Sequence, residues 1–150
     1  MRLTRREMLV SACCGSAAFA GSLLFPPSAH AEDEALNFVE RTLGRQATMS
    51  DRLRLIMPAV FPTGYTVPME LKVESAMTED DYVRRIRVFA PQNPLVEVVS
   101  FAFVPGRSIA RVSTRIRLAK PQDVVAVAEM NDGTLLMTKT WVDVATNGCA

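Results

Sequence analysis

Histidine is almost missing from this chain: His30 stands alone among 150 residues, and cysteine occurs only at positions 13, 14 and 149. An excess of one charge is missing too, since 17 basic side chains face 16 acidic ones for a formal charge of +1. That balance excludes a polybasic nucleic-acid binder, and 49% hydrophobic with 22% charged residues excludes a disordered polymer. At this length there is room for one domain.

The first stretch does not read as part of that domain. Arg2, Arg5 and Arg6 precede an uncharged run over residues 8–25, and Ala29-His30-Ala31 supplies a small-x-small cleavage pattern. These are the three regions of a secretory signal. Paired arginines in Thr4-Arg5-Arg6-Glu7-Met8-Leu9 mark it as a twin-arginine address, which implies export to a bacterial periplasm. Ser11, Gly15, Ser16, Gly21 and Ser22 keep the run only weakly apolar, Pro26-Pro27 closes it, and no second apolar span of about 20 residues follows. No membrane anchor is therefore expected after cleavage.

A cut after Ala31 leaves 119 residues, with 14 basic against 15 acidic side chains. His30, Cys13 and Cys14 leave with the signal, so the mature chain has no histidine and a single cysteine, Cys149. A nucleophile activated by histidine is then excluded, because the base is missing. A zinc or copper site built from nitrogen and sulfur ligands is excluded as well, since such sites need three or four of them. No metal, no catalytic residue and no intramolecular disulfide are expected. In an oxidising compartment, an odd cysteine implies intermolecular pairing or a free thiol with a task.

The mature part reads as all-β after one short helix. Over residues 32–46 the spacing of Leu36, Val39 and Leu43 fits one helical face, with Gly44 placed to end it. Beyond that the period becomes two. Leu53, Leu55 and Met57 alternate with Arg52, Arg54 and Ile56, and Val67, Met69, Leu71 and Val73 with Pro68, Glu70 and Lys72. Ile86 and Val88 point away from Arg85 and Arg87, as do Val112, Ile116 and Leu118 from Arg111, Ser113, Arg115 and Arg117. The arginine row reads either as a solvated sheet face or as an anion-steering one, the former being favoured. Turn residues at 62–64, 91–94, 105–106 and 131–133 separate the strands, and Asp132-Gly133 marks a hairpin. About seven short strands point to an immunoglobulin-like β-sandwich. Two segments, 95–104 and 134–144, are apolar on both faces, which implies that something covers an outer face: a partner subunit, or the N-terminal helix or a loop.

The domain is thus expected over residues 32–144, followed by a tail, 145–150. Thr146, Asn147, Gly148, Cys149 and Ala150 offer no apolar anchor, so a mobile tail is expected. Five residues past Val144 place the thiol up to roughly 16 Å beyond the sheet. A reactive group on such a thread suits delivery into another protein's cleft better than catalysis, which needs fixed groups. Nothing nearby in sequence activates the thiol, and the terminal carboxylate disfavours its thiolate.

These residues resemble a known family, SoxY, the carrier subunit of bacterial thiosulfate oxidation. The resemblance rests on Thr4-Arg5-Arg6, on Val67-Pro68-Met69-Glu70-Leu71-Lys72-Val73-Glu74-Ser75-Ala76-Met77-Thr78, on Val112-Ser113-Thr114-Arg115-Ile116-Arg117-Leu118-Ala119, on residues 124–133 and on the cysteine tail. It implies an immunoglobulin-like sandwich paired with a second one, SoxZ. It further implies that Cys149 carries sulfur intermediates covalently, with no other cofactor. Coupling of thiosulfate would fall to a SoxXA-type cytochrome, release of sulfate to a SoxB-type hydrolase, and oxidation of the remaining sulfur to a SoxCD-type dehydrogenase where present. The family tail typically ends Gly-Gly-Cys-Gly-Gly, whereas this one reads Asn147-Gly148-Cys149-Ala150. Two alternatives stay open: a related carrier of another sulfur compound, and an adaptor whose Cys149 forms only an intermolecular disulfide.

Overall fold

The alternation of apolar and polar residues becomes strand almost wherever it occurs. A computed structural model describes residues 28–145, with side chains from Asp33 onward. A helix, α1 (Ser28–Leu43), precedes nine strands among these residues. They are β1 (Thr48–Met49), β2 (Leu53–Ile56), β3 (Val60–Phe61), β4 (Val67–Val73), β5 (Val83–Phe89), β6 (Glu97–Ala102), β7 (Arg111–Ile116), β8 (Gln122–Met130) and β9 (Leu135–Val144). Seven have four residues or more, as the sequence led us to expect; β1 and β3 are two-residue strands without a periodic signal.

Two sheets face each other. One has six strands in the order β1-β9-β8-β5-β6, with β3 also on β9; the other has the order β2-β4-β7. Between them lie Ile86, Val88, Val124 and Ala126 from the larger sheet and Leu53, Met69, Leu71 and Ile116 from the smaller. This is the expected all-β sandwich. The hairpin β8–β9 turns at Asn131-Asp132-Gly133, where Gly133 takes φ +88° and the Met130 N–H donates to the Thr134 carbonyl at 2.9 Å.

The helix makes a third layer. Ala35 and Val39 pack with Phe89, Val125, Val127, Leu135 and Met137 on the outer face of the larger sheet, and the Phe38 and Phe89 rings meet edge to face at 5.8 Å. That layer explains why β8 is buried at nearly every position. Of the outer face of segment 134–144, the helix covers Leu135 and Met137, while Trp141 stays 56% exposed. Gly44 ends the helix as expected, with φ +66° and its N–H donating to the Glu40 carbonyl at 2.8 Å. The helix starts earlier than its apolar spacing indicated, at Ser28, so a cut after Ala31 falls within its first turn.

Segment 95–104 behaves differently. Only Glu97–Ala102 is strand, it lies at a sheet edge among the described residues, and of the segment's apolar residues Val96 alone packs into the layer that contains α1. Leu95 is 80% exposed and Val104 53%. Of the arginine row, Arg87 pairs with Glu97 at 3.4 Å and Arg111 with Glu70 at 2.7 Å, while Arg85, Arg115 and Arg117 form no ion pair among the described residues; on and beside β2, Arg52 pairs with Asp81 and Arg54 with Glu74, both at 3.0 Å. These are the ion pairs of a solvated face, each worth at most about 1 kcal/mol.

Candidate functional site: the root of the C-terminal tail

Since the expected site lies at the C-terminus, the element that positions it is β9. This strand is held on both edges up to its last residues. On one side Val142 faces Gln122 of β8. On the other, Asp143 and Val144 run parallel to Val60 and Phe61 of β3. The Asp143 N–H donates to the Ala59 carbonyl at 2.8 Å and the Ala145 N–H to the Phe61 carbonyl at 3.2 Å. Val142 and Val144 are buried in the core, which fixes the facing of the strand.

Next to this end lies a buried polar network. Asn93 and Gln122 are the buried polar residues of the described chain. The Gln122 side-chain amide donates to Asn93 Oδ1 at 3.0 Å and to the Lys120 carbonyl at 3.1 Å, while its oxygen accepts the Gln92 N–H at 2.8 Å. Asn93 in turn donates to the Arg117 carbonyl and accepts the Ala119 N–H, both at 2.8 Å. Two side chains thereby tie the loops at 91–94 and 117–122 to the start of β8, beside the strand that ends in the tail. Sequence reasoning read residues 91–94 only as a turn. A polar Asn93 between Pro91 and Pro94, with Gln122 opening an apolar strand, was the signal available.

Between α1 and the same end of β9 is a cleft of about 540 Å³, lined by Phe38, Arg41, Lys120, Gln122 and Trp141 among others. Trp141, read as part of an apolar face, is 56% exposed there. Asp123 at its edge is held by Lys139 Nζ at 3.2 Å.

The residues expected to act, Cys149 with Thr146, Asn147, Gly148 and Ala150, lie outside the described residues. Covalent geometry nevertheless bounds the arrangement: at no more than about 3.6 Å per residue, the Cα of Cys149 lies within about 18 Å of that of Val144. Two carboxyls are lowered from the ordinary value of 3.8, and neither is at this end. Asp81 accepts the Ala76 N–H and faces Arg52, and Asp132 accepts the Thr134 N–H. Among the described residues no group of three or more histidine, cysteine or carboxylate side chains is placed to hold a metal, and no helix is long and apolar enough to cross a membrane.

Comparison with known proteins follows this geometry. The structure is similar to the sulfur carrier protein SoxY from Chlorobium limicola f thiosulfatophilum, with 27% identity and a TM-score of 0.58 over 79% of this chain and 99% of that one. It is also similar to a superoxide reductase (neelaredoxin) from Ignicoccus hospitalis, at 18% identity and a TM-score of 0.55 over 61% of this chain and 79% of that one. A putative superoxide reductase from Thermotoga maritima matches at 19% identity and a TM-score of 0.57, over 65% and 93%. At such identities the two reductases show a shared fold and nothing more. No curated protein matches the sequence. The family model for the sulfur oxidation protein SoxY matches residues 39–149, from the face of α1 through the sandwich to the cysteine itself, and the chain belongs to the SoxY family.

Proposed function

We propose that this chain is an exported, non-catalytic sulfur carrier that holds thiosulfate-derived sulfur on Cys149 and presents it to partner enzymes. The observation that carries this reading is the extent of the family match, which runs through residue 149 and so includes the one cysteine of the mature chain. Its chemistry is simple to balance. Loading joins the thiol sulfur to the outer sulfur of thiosulfate, with two electrons passing to a cytochrome of the SoxXA type and one proton released. Hydrolysis by a SoxB-type enzyme then adds water across the S–S(O₃) bond, releasing sulfate and leaving a persulfide on Cys149. A SoxCD-type dehydrogenase, where present, oxidises that remaining sulfur. The chain supplies the thiol, the tether and the clamped end of β9; activation of the thiol falls to the partners, because no histidine remains to do it. A twin-arginine signal would bring it to the periplasm, where it would work with a SoxZ-like subunit.

Intact mass of protein taken from its own periplasm without reductant tests the reading. Reducible additions of about 32, 80 or 112 Da are expected, for sulfur, sulfonate or thiosulfonate on the thiol, and Cys149→Ser should lose all of them. An unmodified thiol, or a disulfide dimer alone, during active sulfur oxidation would overturn the carrier reading in favour of an adaptor.

A further inference from the structure

Positive charge gathers at the hairpin end of the larger sheet. On β5, Phe89 faces the layer of α1, and the alternation of the strand puts Arg85 and Arg87 on that same face. Arg45 follows directly after the helix, whose last residue is Leu43. The three arginines and Glu129 line one small pocket of about 70 Å³, to which Leu43, Val127 and Leu135 give an apolar part.

Only some of this charge is answered from within the chain. Arg45 donates to Glu129 Oε1 at 3.1 Å and to the Gly133 carbonyl. Arg85 forms no ion pair and no side-chain hydrogen bond among the described residues. The Nε of half-buried Arg87 is shut off from solvent without a hydrogen-bond partner, because the Glu97 carboxylate, 3.4 Å away, is out of line with it. A buried donor in that condition lacks an acceptor. Three cations against one carboxylate leave the lining with a positive excess that a divalent anion balances, and the apolar side chains beside it weaken screening by water. The volume equals roughly two waters at about 30 Å³ each; it admits one tetrahedral oxyanion and excludes a peptide or a nucleotide. Arginine's planar fork of donors suits such an oxyanion.

The occupant is not the cargo of the tail. The ten residues of β9 separate this end of the sheet from the root of the tail, roughly 30 Å at about 3.3 Å per residue, whereas Cys149 reaches no more than about 18 Å from that root. We propose that the pocket formed by Arg45, Arg85 and Arg87 binds a free divalent sulfur oxyanion, thiosulfate or sulfate. The choice of sulfur among the oxyanions rests on the carrier reading; the site itself does not. The test titrates the full mature chain with sodium thiosulfate and, separately, with sodium sulfate, at an ionic strength held constant with sodium chloride, and follows calorimetry and the NMR signals of the arginine Nε–H groups. Saturable binding that moves the Arg85 and Arg87 signals is expected, and the tighter of the two salts identifies the resident anion. Arg85→Ala and Arg87→Ala should each weaken binding roughly tenfold, while Arg115→Ala, on β7, leaves it unchanged. Arg85 is exposed, so its variant should melt as the parent does in chloride alone, which separates a lost site from a lost fold. Unsaturated shifts that chloride reproduces, or parent-like binding by both Arg85→Ala and Arg87→Ala, would overturn the proposal. Sulfur adducts on Cys149 without saturable binding would remove the site and leave the carrier reading standing; saturable binding without adducts would do the reverse.

Discussion

The Gln122 side chain makes three hydrogen bonds at 2% exposure and, with Asn93, ties the loops to the start of β8. Gln122→Ala takes away the acceptor of the part-buried Gln92 N–H and opens a small void where the side chain lay. Unsatisfied donors and cavities of this kind cost about 2–4 kcal/mol together, so the urea midpoint should drop clearly with the m-value unchanged. Asp81 gives a pH test. Its folded carboxyl is held below the unfolded value of 3.8, chiefly by the Ala76 N–H and then by Arg52. Stability from such a group is full above the unfolded value and is lost as pH falls through the folded one. Thermal melting followed from pH 7 to pH 3 should therefore show the parent losing more stability than Asp81→Asn. Asp132 has the same sign and will leave part of the acid slope in that variant.

Among the elements, α1 is the one whose removal would leave an oily face behind. Val39 is fully buried against the outer layer of β5, β8 and β9. Val39→Asp places an unpaired charge there, and the helix should come off the sheet while the core between the sheets stays paired. Limited proteolysis would then cut within residues 28–46 well before the rest, with dye binding to the uncovered face; simultaneous digestion throughout would show that the helix is part of one cooperative unit. The helix and the β8–β9 hairpin were legible because a 3.6-residue period and an Asp132-Gly133 turn are local signals. Sheet order was not, since β1 and β3 contribute two parallel residues each and pairing is decided by tertiary contacts. Strand β6 was read too long because residues 95 and 104 are apolar yet exposed, and apolarity alone does not say whether a side chain is buried by its own chain.

As a whole, the molecule shares its fold with reductases and its family with a carrier, which shows why fold could not decide function. What pointed to function in the sequence was the resemblance to SoxY beside an elimination: a cut after Ala31 would remove His30, Cys13 and Cys14 and leave Cys149 as the one cysteine. The polar network and the clamp on β9 escaped that reading, since both depend on residues far apart in the chain, Asn93 with Gln122 and Ala59 with Asp143.

The clamp has a consequence for the enzymes that would meet this protein. If Cys149 carries sulfur as proposed, its Cα would stay within about 18 Å of the end of β9, which would give a docked enzyme a local concentration of the group on the order of 10–100 mM. Such an enzyme needs little intrinsic affinity for the sulfur group, so its selectivity can reside in the protein surface it grips. One pivot can then serve active sites of unlike chemistry in turn, with no free intermediate escaping between them.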